Sequence, residues 1–266
     1  MNPHTPHRVC PACAGDHPVD LEMYSPDPWV IVECGSCAFV YLKNPPGYEA
    51  LKEDFAWETT YAAKKESSKG STVFSPMARK LRNALGMYRD QNRLFRRYFG
   101  NSGKVLDVGS GMGTRISAPQ IPFGIELSSG LHKQSDALMK TQGGYCIHGA
   151  GADAIWNFDP GMFDGIVMFS YLEHESEVLK VLRGAHRALN NEGGVFVRVP
   201  NFASLNRRVI GPKWCGFRYP DHVNYFTLQS LRDIAHRAQF TVQLINKVTL
   251  PVDDNISVLL RKSNTL

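Results

Sequence analysis

The sequence predicts an α/β protein whose main body is a doubly wound, mostly parallel seven-stranded sheet, preceded by a small cysteine-bearing module. Three observations carry this. From Pro76 onward short apolar runs alternate with helical patterns, the first of those runs ends in a glycine-rich turn, and two C-x-x-C pairs stand within the first 40 residues. Alternating strands and helices need crossover connections, which set the strands parallel and cover both faces of the sheet.

Taken in order, residues 1–46 form the first unit, with strand-like pieces at 29–32 and 39–42 and a closing turn at Pro45-Pro46-Gly47. Residues 47–75 are aromatic and polar and end in Ser67-Ser68-Lys69-Gly70-Ser71, the composition of a linker or lid. Residues 76–266 make the α/β domain. Its strands are expected at 104–108, 122–126, 145–148, 163–169, 194–199, 240–246 and 256–260, all rich in Val, Ile and Phe. Helices are expected at 77–99, 131–141, 175–189 and 228–238. The first of these sets Leu81, Leu85, Tyr88, Leu94, Phe95 and Tyr98 opposite Arg79, Lys80, Arg82, Arg89, Arg93, Arg96 and Arg97. Such a basic face reads as a solvated surface, or as a contact for a phosphorylated substrate or RNA.

Composition narrows the class. Hydrophobic residues make up 43% of the 266 and charged residues 21%, which excludes disordered and fibrous chains. No apolar run approaches the ~20 residues that span a bilayer. Residues 1–8 lack an apolar signal region, so a reducing, cytoplasmic location is expected. A net charge of +5 is mild.

In a reducing compartment Cys10, Cys13, Cys34 and Cys37 read as metal ligands before disulfides. Two such knuckles with 20 residues between them describe a zinc ribbon, a four-thiolate site for Zn2+ with no open coordination position. Its role is therefore expected to be structural, stabilising a module of ~40 residues that is too small for its own core. Cys146 and Cys215 stand alone and read as ordinary thiols.

The strongest chemical signal is Val105-Leu106-Asp107-Val108-Gly109-Ser110-Gly111-Met112-Gly113. Glycines serve where the backbone takes positive φ or a ligand approaches closely. In a Rossmann-like unit this turn lies at the carboxyl edge of the sheet, where ligands bind. Glu126 closes the next strand, where an acid can accept hydrogen bonds from both hydroxyls of a ribose. Only 12 residues separate Gly113 from Glu126, with Pro119 and Pro122 among them, so the first crossover is expected to be short or irregular.

The D-x-G-x-G-x-G run resembles motif I of class I S-adenosylmethionine-dependent methyltransferases, and the resemblance covers residues 76–262. It implies cofactor contacts from Asp107, Gly109, Ser110, Gly111, Gly113, Glu126 and Leu127. Asp153, after the third strand, corresponds to the family's adenine-binding acid, although an aspartate there also suits a helix N-cap. Phe163-Asp164-Gly165-Ile166-Val167 resembles the opening of the fourth strand, which runs through Phe169, a further implied cofactor contact, to Tyr171 and His174, where the transferred methyl lies. Leu189-Asn190-Asn191-Glu192-Gly193-Gly194 resembles the turn before the fifth.

Transfer of a methyl from a sulfonium depends on positioning, and an oxygen or carbon acceptor also needs a base. His174, His222 and Tyr171 are the expected catalytic groups. The segment from Pro200 to Phe226 resembles a subgroup acting on small-molecule, glycan or secondary-metabolite acceptors, its aromatic residues being suited to covering an acceptor. Two alternatives remain open: an RNA base methyltransferase that holds RNA with the ribbon and the basic helix, and a non-catalytic ribbon adaptor.

Overall fold

The computed structural model describes residues 7–47, 91–100 and 102–263. The expected lid and most of the basic helix fall outside the described residues. Within them, no helix is long and apolar enough to cross a membrane.

The amino-terminal part contributes three strands, β1 (Pro18–Asp20), β2 (Ile31–Cys34) and β3 (Val40–Leu42). The main domain then runs α1 (Gln91–Phe99), β4 (Gly103–Val108), β5 (Gln120–Glu126), α2 (Ser129–Lys140), β6 (Cys146–His148), α3 (Gly151–Ala154), β7 (Phe163–Phe169) and α4 (Val178–Ala188). It continues as β8 (Leu189–Pro200), α5 (Leu205–Ile210), β9 (Asn224–Tyr225), α6 (Leu228–Arg237), β10 (Phe240–Leu244) and β11 (Asn255–Lys262).

The large sheet has the order β10-β11-β8-β7-β4-β5-β6. All its neighbours pair in parallel except β11, which is antiparallel to both β8 and β10. The chain winds outward from β4 to β6, then returns to β7 and winds the other way. The switch point therefore lies between β4 and β7, where such sheets open a crevice beyond the strand ends.

Local chemistry explains the elements. In α4 the apolar residues Val178, Val181, Leu182, Ala185 and Ala188 recur at helical spacing and are all buried against the sheet. Helix α6 starts at a capping box in which Thr227 and Ser230 exchange side-chain to backbone bonds. Between β4 and β5 the described chain forms turns and no helix, as the short spacing predicted. Residues 189–194, expected as a turn, lie within β8, but only Leu189 and Gly194 pair with β7, opposite Phe163 and Gly165, so 190–193 form an irregularity in the strand where Asn190 Nδ2 donates to Asp164 Oδ1 at 2.8 Å.

The amino-terminal module is not self-contained. Its sheet runs β1-β2-β3-β9, and β9 comes from the segment that follows β8. Trp214, Phe202, Val223 and Tyr225 from that segment share a buried cluster with Ile31, Val40 and Leu42. These aromatics, expected over an acceptor, thus form the joint between module and domain, where their apolar area finds its partner.

Candidate active site

A cleft of about 380 Å3 opens at the β4/β7 switch point. Its floor is the glycine turn after β4. Gly109, Gly111 and Gly113 have φ of +75°, +57° and +76°, and around a Cβ built on Gly111 nothing lies within 4 Å. A ligand can therefore approach the backbone closely there. Glu126, at the end of β5, accepts from Gly111 N at 2.7 Å and from Ser128 N at 2.9 Å, which fixes its carboxylate at the cleft edge. Leu127, Gly149 and Ala150 continue the wall beyond it.

Asp107, at the end of β4, is fully buried and is ion-paired with Arg115 Nη1 at 2.5 Å. Burial raises its carboxyl to about 6 against the opposing pull of Arg115. Its second oxygen, Oδ2, has no hydrogen-bond partner. Arg115 itself faces the cleft, over the Phe169 ring at 5.1 Å.

The opposite wall comes from the end of β7. Ser170, at φ +51°, turns the chain sharply there, and Tyr171, His174 and Glu175 follow into the cleft lining. Tyr171 donates its hydroxyl to Glu175 Oε2. His174 Nδ1 lies 3.0 Å from Asp221 Oδ1 and 2.8 Å from the Asp221 carbonyl. Arg218 Nη2 in turn holds Asp221 Oδ2 at 2.8 Å. Burial pulls the His174 imidazole down, but the Asp221 hydrogen bond and the charges of Glu173 and Asp221 outweigh it and raise its pKa.

Behind His174 lie Glu173 and His222, both buried. The two imidazoles meet edge to face with centroids 4.7 Å apart. His222 Nδ1 donates to Gly216 O at 2.8 Å, and burial, followed by the charge of His174, lowers its pKa to about 3. Burial raises the Glu173 carboxyl to about 7.

Most of the expected residues converge on this cleft. Gly109, Gly111, Glu126, Leu127, Phe169, Tyr171 and His174 line it, and Asp107 sits directly beneath through its partner Arg115. Four differ from expectation. Ser110 turns inward, Oγ to Oγ with Ser135 at 2.9 Å, and Gly113 packs against the same Ser135. His222 lies behind His174, outside the cleft lining. Asp153 is not the N-cap, since Ala150 holds that position of α3, and it lies outside the cleft lining, its exposed carboxylate paired with Lys180 Nζ at 2.5 Å. Arg115, Glu173 and Asp221 were not singled out from the sequence. Only their neighbours in it, the glycine turn, His174 and His222, drew attention.

The four amino-terminal cysteines converge as well. Cys10 Sγ lies 3.6 Å from Cys37 Sγ and Cys13 Sγ 3.6 Å from Cys34 Sγ. All four sulfurs lie within 4.8 Å of one another, and none is in a disulfide.

Comparison with known proteins accords with this geometry. Residues 77–245 match the family model described as a methyltransferase domain. No curated protein matches the chain. Among solved structures, the Burkholderia thailandensis 1,6-didemethyltoxoflavin N1-methyltransferase, with 1,6-didemethyltoxoflavin and S-adenosylhomocysteine bound, aligns at a TM-score of 0.54 and 15% identity over 94% of this chain and 100% of its own. An S-adenosylmethionine-dependent methyltransferase from Archaeoglobus fulgidus aligns at 0.52 and 15%, over 76% of this chain and 99% of its own. A methyltransferase-like protein from Bacillus halodurans aligns at 0.53 and 15%, over 66% and 99%. At such identities the likeness is one of fold.

Proposed function

Because the chain belongs to the methyltransferase-domain family and is an enzyme, we propose that it transfers a methyl group from S-adenosylmethionine to a small-molecule acceptor, with His174 as the general base. The observation that carries this is the single cleft that joins the glycine turn and Glu126 on one wall to the His174–Asp221 pair on the other. The open space over Gly111 and the acid at the end of β5 fit a nucleoside-bearing cofactor, and the volume is that of a small-ligand site. The B. thailandensis enzyme of the same fold, solved with a small heterocyclic acceptor, supports the acceptor class.

When bound, S-adenosylmethionine supplies an electrophilic methyl on a sulfonium, and the breaking carbon–sulfur bond leaves its electron pair on sulfur. The chain's own residues do the rest. Glu126 receives the ribose hydroxyls, and the glycine turn lets the sulfur end lie close to the backbone. His174 takes the acceptor's proton on Nε2 while its Nδ1–H stays on Asp221, which orients the ring and stabilises the imidazolium that forms. Tyr171 and Glu175, bonded to each other, shape the entrance beside it. His222, buried and neutral, backs His174 rather than reaching the acceptor.

Calorimetry with S-adenosylhomocysteine, followed by a labelled-methyl screen of fractionated extract, tests the reading. Micromolar binding that falls at least tenfold in Glu126→Ala, and label in a small-molecule fraction, is the expected result. No binding to the unaltered protein would sink it.

We further infer that Cys10, Cys13, Cys34 and Cys37 hold a structural Zn2+. A tetrahedral ion with Zn–S bonds of about 2.3 Å spaces its sulfurs by about 3.8 Å, close to the 3.6 Å of each pair. Elemental analysis of untagged protein should find near-stoichiometric zinc.

A further inference from the structure

S-adenosylmethionine ends in a zwitterionic α-amino acid, and the cleft wall presents an ion pair of matching pattern. Among the described residues lining the cleft, Arg115 is the only lysine or arginine, against three acids, Glu126, Glu175 and Asp221. Among the described lining residues, a carboxylate entering this cleft therefore has Arg115 as its permanent cation.

The guanidinium is held but not used up. Among the described residues its one hydrogen-bond partner is Asp107, reached through Nη1. The remaining N–H groups of the fork have no partner among the described residues, and the side chain is 24% exposed. The Phe169 ring, 5.1 Å from Cζ, limits its movement. Asp107 makes the cation tolerable in an empty cleft and keeps an unpartnered oxygen of its own. The pair also sits at the right end. Asp107 lies one residue before the end of β4 at the switch point, Glu126 ends β5, and Gly109, Gly111, Arg115 and Glu126 line the same cleft.

We propose that Arg115 is the residue that binds the carboxylate of the cofactor's amino-acid end, through the N–H groups that Asp107 leaves free. This rests on the cofactor reading above. Arginine suits the task because its planar fork can serve two carboxylates at once, one fixed and one arriving. Arg115 then makes the site discriminate an adenosyl amino acid from an adenosyl thioether lacking that end.

The test is calorimetry on the full chain with two ligands, S-adenosylhomocysteine and 5′-methylthioadenosine, which share the adenosyl thioether but only the first of which carries the amino acid. In Arg115→Met the affinity for S-adenosylhomocysteine should fall roughly ten- to a hundredfold, the range of a hydrogen bond to a charged group. Affinity for 5′-methylthioadenosine should not change, and Arg115→Lys should recover part of the loss. Equal losses for both ligands would make Arg115 a structural partner of Asp107 and overturn the assignment. So would unchanged affinity for both, or a wild-type protein that binds the two ligands equally. Binding of neither ligand to the wild-type protein would instead remove the cofactor reading itself, and this assignment with it.

Discussion

His174 carries the sharpest consequence at the scale of single residues. A general base must be neutral, and its pKa in the folded chain is raised by the Asp221 contact and by nearby charge. Turnover should therefore rise with pH through a midpoint above the ~6.5 of a free imidazole and level off beyond it. Asp221→Asn removes the hydrogen-bonding charge, so the midpoint should move to lower pH while the plateau drops. His174→Ala should lower kcat by roughly 10²–10⁴-fold with S-adenosylhomocysteine affinity intact. A pH–rate profile of the three proteins reads both effects, and an unmoved midpoint in Asp221→Asn would exclude His174 as the titrating group. The same shift has a stability side. The protonated His174–Asp221 pair stabilises the fold below the unfolded imidazole pKa and is lost as pH rises through the folded value. At this scale the sequence shows which residues are chemical but not which are paired. Asp107 and Glu126 were legible because each lies at the carboxyl end of an apolar run, the first lying two residues before a glycine turn and the second closing the next strand. Arg115 and Asp221 acquire roles only through side-chain contacts that no spacing encodes, and Asp153 stands outside the cleft, paired with a surface lysine 27 positions away that no local pattern announces.

Among the elements, the short β9 has influence out of proportion to its length. Asn224 donates from Nδ2 to the carbonyls of Leu172 and Glu175 at 2.7 and 2.6 Å, and the backbone N–H groups of Val223 and Asn224 both reach Glu173 O. Arg8 closes the arrangement from the other side, bonding Leu42 O, Val223 O and the Asn224 side-chain oxygen. The turn that carries His174 is thus held by the strand that completes the cysteine module. Asn224→Ala should destabilise the protein by about 1–3 kcal/mol, the cost of stranding buried polar groups. It should also lower kcat while leaving S-adenosylhomocysteine affinity unchanged, which calorimetry and turnover measured on one preparation can separate. Trp214→Ala empties the joint itself, where Nε1 also bonds Asp254 Oδ1 at 2.8 Å, and should cost about 3–5 kcal/mol in denaturant unfolding. The strands of the large sheet were legible because burial on both faces writes itself as apolar runs. Strand β9 was not, since two residues carry no periodicity and its partner β3 stands some 180 positions earlier.

For the molecule as a whole, the cysteine module and the turn carrying His174 are joined through one sheet and one buried cluster. Removing the inferred zinc should therefore act at a distance. Chelation is expected to loosen the β1-β2-β3-β9 sheet and reduce turnover, while cofactor binding, which draws on β4, β5 and β7, persists. Full turnover after verified metal loss would show that the joint transmits nothing. Composition suggests a division into an amino-terminal module and an α/β domain. It gives no sign of the pairing of β3 with β9, because that depends on which edge strand the module lacks, and sequence does not announce a missing edge.

That missing edge is filled late in the order in which the protein is made. Strands β1, β2 and β3 leave the ribosome together, but the chain that covers the outer side of β3 is synthesised only after most of the catalytic domain. Until then β3 offers unpaired backbone groups next to Ile31, Val40 and Leu42, an invitation to foreign strands. The nascent module must wait, metal-loaded or shielded, for its own late partner. For the same reason neither half can be cut away cleanly: an isolated residues 1–46 fragment exposes a raw edge, and an isolated 76–266 fragment bares Trp214 and Tyr225. Chain dissection at the composition boundary should give two poorly soluble pieces, whereas their co-expression should restore a soluble pair.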